Sequence, residues 1–326
     1  QSGQRHYSEM LSPESLPSAR YLNVFREACA ANLERMARDC LHLAALIAQR
    51  RSGPITLVSL ARAGTPVGVV LKHLLQDVLQ REAEHYSVSI IRDRGIDQVA
   101  LEHILERGHA PESIVFVDGW TGKGVISREL EAAIAEFNAR RGTAIEGGLY
   151  VLSDLAGSAA CAASCDDYLI PSSILNATVS GLISRSILNQ SIGAGDFHGC
   201  VYYEQFAEQD QSQGFADALV ARARALGPIA DPAPMDKQRA AKVSRAYMAA
   251  ALEEHGIGDA NMVKPGIGEA TRVLLRRVPR LLILRDADAP EVAHLKLLAQ
   301  EKNVPVQVDP RLPYHAVSLI RSALDG

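Results

Sequence analysis

Over the larger N-terminal part of the chain, apolar positions recur first with a helical period and then in short strand-like runs. Residues 18–50 place apolar side chains every three or four positions without a proline, which predicts a long helix or a helix pair. Five β-rich runs follow, separated by helical stretches, and this alternation predicts a mainly parallel sheet flanked by helices. The predicted strands are 55–60, 86–91, 114–117, 149–152 and 168–170, and the predicted helices are 66–79, 98–106 and 125–139.

A proline-rich segment divides the chain. Pro228, Pro232 and Pro234 cannot continue a helix or a central strand, so 228–236 is predicted to link an N-terminal domain (1–227, the body) to a C-terminal domain (237–326, the module). The residue pattern of the module predicts, in chain order, a helix, a Gly-rich turn, a helix, a strand, a helix, a strand and a final helix. The module has 14 Lys and Arg against 10 Asp and Glu, whereas the preceding residues have 20 against 28. A basic module therefore follows an acidic body.

The amino-acid composition excludes some broad classes of protein. Hydrophobic residues are 47% and charged residues 22%, enough apolar material for a core, which excludes a disordered chain. No apolar run reaches the roughly 18 residues of a membrane span, and no signal-peptide core follows Gln1. Because the chain does not begin with Met, we expect that residues precede it. Five scattered cysteines favour reduced thiols, so we expect a cytoplasmic protein without membrane contact.

Two predicted strands end in sequences suited to anions. One runs into a small turn that contains Arg62, and the other ends at Asp118 before a Gly-rich turn and a helix from Val125. Small residues let backbone N–H groups face an anion, and sites in parallel sheets lie at the carboxyl ends of the strands. The alternative is a pair of ordinary strand–helix turns that use glycine for its conformational freedom.

The two strand ends resemble the diphosphate loop and the phosphoribosyl-diphosphate (PRPP) motif of type I phosphoribosyltransferases. Asp118 matches the first acid of that motif and Thr121 and Gly122 match its phosphate loop, whereas Gly119 and Gly124 depart from it. The resemblance implies a type I phosphoribosyltransferase-like α/β fold, PRPP or a related phosphorylated ribose as partner, and Mg²⁺ as cofactor, and it leaves a homodimer open. The residues assigned to PRPP are Ser59, Ala61, Arg62, Ala63, Gly64, Thr65, Asp118, Gly119, Trp120, Thr121, Gly122, Lys123 and Gly124.

Six longer segments are similar to one branch of such proteins. They are HYSEML at 6–11, VSLARAGTPVG at 58–68, HYSVSIIRDRGID at 85–97, VDGWTGKG at 117–124, SILNATVSGLISRSILN at 173–189 and GDFHG at 195–199. This branch is the phosphoribosyltransferase-like family of bacterial tellurium-resistance and stress gene neighbourhoods, which also bears the name cysteine protease StiP. Arg92 and Arg94 suit closure over a diphosphate and join Asp118 as predicted catalytic residues, unless they form a solvated charged turn.

A cysteine protease needs a thiolate activated by a nearby histidine. The one close pair in the sequence is His198 and Cys200, two residues apart on one side of an extended segment. No Gly-rich or helix N-terminal setting follows Cys200 to depress the thiol pKa, so we expect Cys200 to be a buried structural residue.

The module resembles the Pelota-type and ribosomal kink-turn RNA-binding fold, a small α/β domain. The matching features are a G-x-x-E-x-T loop at 266–271 and the run DADAPEVAHLKLLAQEKNVPVQV. The resemblance implies RNA contacts from Lys264, Gly266, Gly268, Glu269, Thr271 and Arg272, with Gly268 in place of the usual Asn. The alternative is a scaffold that kept the fold and lost RNA. We therefore predict a PRPP-dependent phosphoribosyltransferase of nucleotide or modified-nucleoside metabolism with an RNA-binding module, the alternatives being a nucleotide-sensing or RNA-binding regulator without turnover and a cysteine protease.

Overall fold

The computed structural model describes residues 6–10 and 14–321 and contains two β-sheets, one in the body and one in the module. The helices are α1 (Ala19–Arg50), α2 (Thr65–Asp77), α3 (Gln98–Glu106), α4 (Val125–Arg141), α5 (Ser212–Leu226), α6 (Lys237–Glu254), α7 (Ile267–Arg276) and α8 (Ala293–Glu301). The strands are β1 (Ile55–Ala61), β2 (Ala83–Ile91), β3 (Gly95–Ile96), β4 (Ile114–Thr121), β5 (Leu149–Asp154), β6 (Cys161–Ser164), β7 (Val263–Pro265), β8 (Leu281–Leu284), β9 (Val306–Val308) and β10 (Ala316–Leu319).

The body sheet has the order β3-β2-β1-β4-β5-β6 and is parallel except for β3, which pairs antiparallel with β2. Helices α1, α2 and α5 pack on one face, and α3 and α4 on the other. Burial on both faces explains why β1 and β5 are nearly continuous apolar runs. A parallel-rich sheet flanked by helices is thus confirmed, whereas the type I phosphoribosyltransferase fold stays a prediction.

Two details of the body differ from the predicted elements. The predicted strand at 168–170 is wrong, because the last strand of the body sheet is β6, at Cys161–Ser164. Tyr168, Leu169 and Ile170 instead bury their side chains in the core against α1. Apolar side chains there serve core packing without ladder hydrogen bonds. Strand β4 also continues through Thr121, where it pairs with Asp154, so half of the predicted Gly-rich turn is strand.

The module sheet has the order β7-β10-β8-β9. The predicted final helix is wrong, because 316–319 form β10, which pairs antiparallel with both β7 and β8. As a central strand, β10 satisfies its backbone on both sides, and its four residues are all buried.

The module shares apolar packing with the body. Leu155, which follows β5, lies in the module core, and Ile267 and Leu274 of α7 join the cluster that contains α1. The structure therefore places the module directly on the carboxyl edge of the body sheet. No helix in the described ranges is both long and apolar enough to cross a bilayer.

Candidate functional site

A cavity of about 370 Å³ lies between the carboxyl edge of the body sheet and the module. Most of its lining comes from the end of β1, the end of β4, the start of α4 and the first two turns of α7. The lining residues are Leu60, Ala61, Arg62, Ala63, Ile90, Asp118, Trp120, Thr121, Gly122, Lys123, Gly124, Val125, Ile126, Leu149, Pro265, Glu269 and Arg272. The structure thus brings most of the residues predicted to bind PRPP to the same cavity as two of those predicted to bind RNA.

Four residues assigned to PRPP do not line this cavity, and the hydrogen bonds or packing of three of them explain why. Ser59 is buried and its hydroxyl lies 2.7 Å from His85 Nε2. The Thr65 hydroxyl lies 2.6 Å from that of Ser87. At Gly64 a Cβ would lie 2.8 Å from a β4 carbonyl, so glycine allows close packing here. Gly119 is the fourth residue outside the lining. All four residues lie in or next to the ends of β1 and β4.

The paired arginines after β2 also lie outside the cavity lining. The Arg92 backbone N–H donates to the Tyr7 hydroxyl at 2.9 Å, and the Arg94 guanidinium forms an ion pair with Glu9 at 2.9 Å. Arg92 is nevertheless near enough to lower the pKa of Lys123 slightly. Their predicted catalytic role therefore has no geometric support in this arrangement.

Burial changes the titration of two groups in the cavity. Burial raises the pKa of Asp118 to about 7. The Gly119 N–H, which donates to this carboxylate at 2.7 Å, acts in the opposite direction and lowers the pKa. Burial, together with Lys264, lowers the pKa of Lys123 to about 8. The Lys123 ammonium donates to the carbonyls of Ala260 and Val263, 3.1 and 3.3 Å away, and so ties the body to the module.

The predicted RNA loop faces the body. Arg272 lies over the Trp120 ring at 5.9 Å and forms an ion pair with Glu269 at 3.5 Å. A Cβ at Gly268 would lie 3.6 Å from the same ring. Because these residues pack on the body, RNA would reach them only from the cavity edge.

Two backbone and side-chain details complete this loop. Gly266 adopts a φ of 92°, which glycine tolerates, and a Cβ there would lie 2.6 Å from Leu155. Thr271 is fully buried and its hydroxyl donates to the Ile267 carbonyl at 2.7 Å. Asp167 of the body accepts from the N–H groups of Ile267 and His315, both at 2.7 Å.

The lining does not form a protein-held Mg²⁺ site. Mg²⁺ prefers oxygen ligands in octahedral geometry, commonly one or two carboxylates plus substrate phosphates. Asp118 and Glu269 lie among Arg62, Lys123 and Arg272 instead, and no group of three or more potential ligand side chains occurs in the described part of the chain. Mg²⁺ therefore stays a prediction, and we derive no chemistry from it.

A second cavity, of about 270 Å³, adjoins the first at Ala61 and holds the His198–Cys200 pair. Ser89 and Asp97 line it as well, from the end of β2 and the start of α3. Cys200 is exposed, so the sequence-based expectation of a buried structural cysteine is wrong. The segment around Gly199 pairs with Ile187 instead of entering the core, and this leaves the thiol at the surface. We call this cavity the thiol groove.

His198 forms one hydrogen bond through its ring and another through its backbone. Its Nδ1 lies 2.8 Å from the Ser89 hydroxyl, and its backbone N–H donates to Asp97 Oδ2 at 2.7 Å. Asp97 also caps α3 by accepting from the Ala100 N–H at 3.0 Å. Burial lowers the pKa of His198, and the Asp97 charge opposes this. Burial thus favours the neutral imidazole, which can accept a proton.

The other four cysteines lack this setting. Burial raises the pKa of Cys29 to about 12, and it raises the pKa values of Cys40 and Cys161 as well. Cys165 is exposed, but burial of its thiol and the neighbouring Asp166 raise its pKa. Ser89 and Asp97 could not be identified from the sequence as partners of His198, because a residue that caps a helix gives no signal of a contact 101 positions away.

Family comparisons match both parts of the chain. Residues 1–220 match the family described as tellurite-like stress resistance cysteine protease StiP. The chain belongs to the StiP family. Residues 242–322 match the PELOTA RNA binding domain. A relative from Acinetobacter baylyi, named cysteine protease StiP, is 44% identical over 340 residues, which cover 100% of this chain and 88% of the relative.

These matches correct the function predicted from the sequence. The predicted phosphoribosyltransferase of nucleotide metabolism is wrong, since both the family and the relative are named as cysteine proteases. The resemblances to the StiP family and to a Pelota-type module are confirmed. PRPP as a partner gains no support. A cytoplasmic location and a homodimer stay predictions.

Proposed function

We propose that this StiP family member is a cysteine peptidase with Cys200 as its nucleophile. The observation that supports this most directly is the thiol groove, whose lining includes both the exposed Cys200 and His198. Among the five cysteines, only Cys200 lines a described cavity together with a histidine. The names of the family and of the Acinetobacter relative point to the same class of enzyme.

The contacts of His198 assign its two nitrogens different roles. Nδ1 is bonded to the Ser89 hydroxyl, so Nε2 is the nitrogen that we assign to proton exchange with Cys200. Asp97 acts through electrostatics, because its charge stabilises the imidazolium that forms after proton transfer. Its hydrogen bond from the His198 backbone keeps the ring beside the carboxylate.

The reaction then follows the ordinary course of thiol catalysis. Cys200 Sγ gives its proton to the imidazole and attacks the peptide carbonyl carbon, forming a C–S bond. The C–N bond breaks, and the departing amine takes the proton from the imidazolium. Water hydrolyses the resulting thioester, with His198 again accepting a proton, and the free thiol returns.

The test compares two exposed cysteines in the full-length protein. Cys200→Ser should lower the rate of hydrolysis of an unfolded protein substrate by about 10²-fold or more, since a serine hydroxyl is a far weaker nucleophile here. Cys165→Ser is the matched control and should keep the parent rate. A Cys200→Ser variant that is folded and fully active would refute the proposal.

RNA binding by the module is a second candidate function, favoured by the match over 242–322 and by the excess of basic residues after Lys237. We propose that the full chain binds RNA at the module, with Lys264, Glu269 and Arg272 as the contacts at the cavity edge. Affinity measured by fluorescence anisotropy should fall steeply between about 50 and 200 mM salt as counterions are released. Glu269→Ala should weaken only the preferred RNA, because a carboxylate reads a base edge and does not attract phosphate. Binding that is absent at low salt would refute this candidate.

A further inference from the structure

The Gly-rich loop before α7 is covered by the body. A Cβ at Gly266 would lie 2.6 Å from the Leu155 side chain, and one at Gly268 would lie 3.6 Å from the Trp120 ring. Both glycines are buried. Body side chains therefore occupy the space through which a nucleic acid would approach the backbone of this loop.

The Asp167 carboxylate of the body also occupies backbone donors beside the loop. Its two oxygens accept from the N–H groups of Ile267, the first residue of α7, and of His315, both at 2.7 Å. Phosphate oxygens of nucleic acids accept from donors of the same kind, backbone N–H groups and helix N-termini among them. The body thus presents to the module an anion that competes directly with an RNA phosphate.

Two further contacts keep the module in this position. The Lys123 ammonium of the body donates to the module carbonyls of Ala260 and Val263, 3.1 and 3.3 Å away. In the opposite direction, the Arg276 guanidinium of the module donates to Asn176 Oδ1 of the body at 2.6 Å. Because Arg276 is engaged with the body, its guanidinium is not free for an RNA phosphate in this arrangement.

We propose that docking on the body holds the module in a state of low RNA affinity, with Asp167 as the autoinhibitory contact. This inference rests on the RNA binding proposed above. In the docked state, RNA contacts only the half-buried side chains of Lys264, Glu269 and Arg272 at the cavity edge. When the module leaves the body, the loop backbone and the Arg276 guanidinium become available as well. Full contact with RNA and docking on the body therefore exclude each other.

This competition sets the expected size of the effect. Because only the undocked module binds RNA at full strength, the measured affinity rises with the undocked fraction. Asp167→Ala removes both acceptors, so it should raise that fraction and tighten RNA binding at least about tenfold. Asp167→Asn keeps one acceptor and should give a smaller gain in affinity.

The test measures the RNA affinity of the full-length protein by fluorescence anisotropy, with a fluorescein-labelled RNA hairpin that contains an asymmetric internal loop. Asp166→Ala is the matched control, because it removes the same negative charge from the neighbouring position. The Asp166 carboxylate pairs with Arg35 of α1 at 2.7 Å and accepts no hydrogen bond from the described part of the module. This control should therefore bind RNA like the parent protein. Circular dichroism checks that every variant is folded.

A second readout uses the parent protein. Trp120 is the only tryptophan in the chain, and its ring packs against the module at Gly268 and Arg272. Saturating RNA should therefore shift the tryptophan emission to longer wavelength as undocking exposes the ring to water. This readout needs no variant, so it tests the proposal even if Asp167→Ala does not fold.

Two results would overturn the proposal and leave RNA binding in place. They are binding by Asp167→Ala that is measurable but no tighter than that of Asp166→Ala, and emission that is unchanged or shifted to shorter wavelength at saturating RNA. Binding that is absent from the parent and from every variant at low salt would refute the RNA-binding function and this inference together.

Discussion

Asp167 is expected to contribute strongly to stability because it holds the module on the body. Its two carboxylate oxygens accept from the N–H groups of Ile267 and His315, each at 2.7 Å. Removing both acceptors in Asp167→Ala leaves two N–H groups without partners at the interface. Each such loss costs about 1–3 kcal/mol, so we expect the free energy of unfolding to fall by about 2–6 kcal/mol.

The charge of Asp167 matters less than its oxygens. Burial raises the pKa of Asp167, which means that the native state favours the neutral carboxyl relative to the unfolded chain. A neutral amide should therefore be tolerated better than alanine, and Asp167→Asn should cost about 1–3 kcal/mol, since it retains one oxygen acceptor and leaves one N–H without a partner. The neighbouring Asp166 is the matched control, because its exposed ion pair with Arg35 is worth at most about 1 kcal/mol.

Urea unfolding followed by circular dichroism measures all three variants. The expected order of midpoints is Asp166→Ala above Asp167→Asn above Asp167→Ala. If Asp167→Ala unfolds at the same urea concentration as Asp166→Ala, the two hydrogen bonds do not hold the module in place and the account of docking is wrong.

Three further predictions concern titratable and buried groups. Asp97→Asn removes the charge that raises the pKa of His198, so the acid limb of kcat/KM should move to lower pH, and a limb that stays or rises would contradict this role. Burial lowers the pKa values of His85 and His294 from 6.5 to about 4, so the unfolded chain binds more protons below pH 6.5. These histidines should therefore reduce stability between about pH 6.5 and 4, whereas the raised pKa values of Asp39 and Asp118 act in the opposite direction. The test is therefore a comparison: the urea-unfolding stability of His294→Gln should depend less on pH in this window than that of the parent protein, and identical pH profiles would refute this. Thr271→Val removes the hydroxyl that lies 2.8 Å from His294 Nε2, so it should cost about 1–3 kcal/mol, and a neutral effect would show that this contact is not formed.

Local patterns predicted the elements of the body well. α3 spans 98–106, as its apolar period predicts, and β1 covers the predicted run 55–60 and extends to Ala61. The strand at 168–170 failed for a physical reason, because burial alone does not distinguish a paired strand from an irregular segment packed on α1.

The two cavities were harder to predict than the elements, because the residues that line each of them are distant in sequence. Asp118 and Lys123 line a cavity, as their positions near the carboxyl end of β4 indicate, but the module residue Arg272 completes that cavity through docking that no local pattern shows. The thiol groove likewise brings Ser89 of β2 to His198 through a contact 109 residues apart. A phosphate-loop pattern identified a place in the fold, and the transferase activity inferred from it was wrong because function depends on sites and not on fold.

The measurement that tests the central claim most directly is the capture of the acyl-enzyme. The full-length protein is mixed with an activated ester of a short peptide, quenched in acid, digested, and mapped by mass spectrometry. The account predicts a thioester on Cys200, with hydrolysis of the ester lost in Cys200→Ser and kept in Cys165→Ser. Hydrolysis that continues with no adduct on Cys200, or an adduct on a different cysteine that persists in Cys200→Ser, would contradict it.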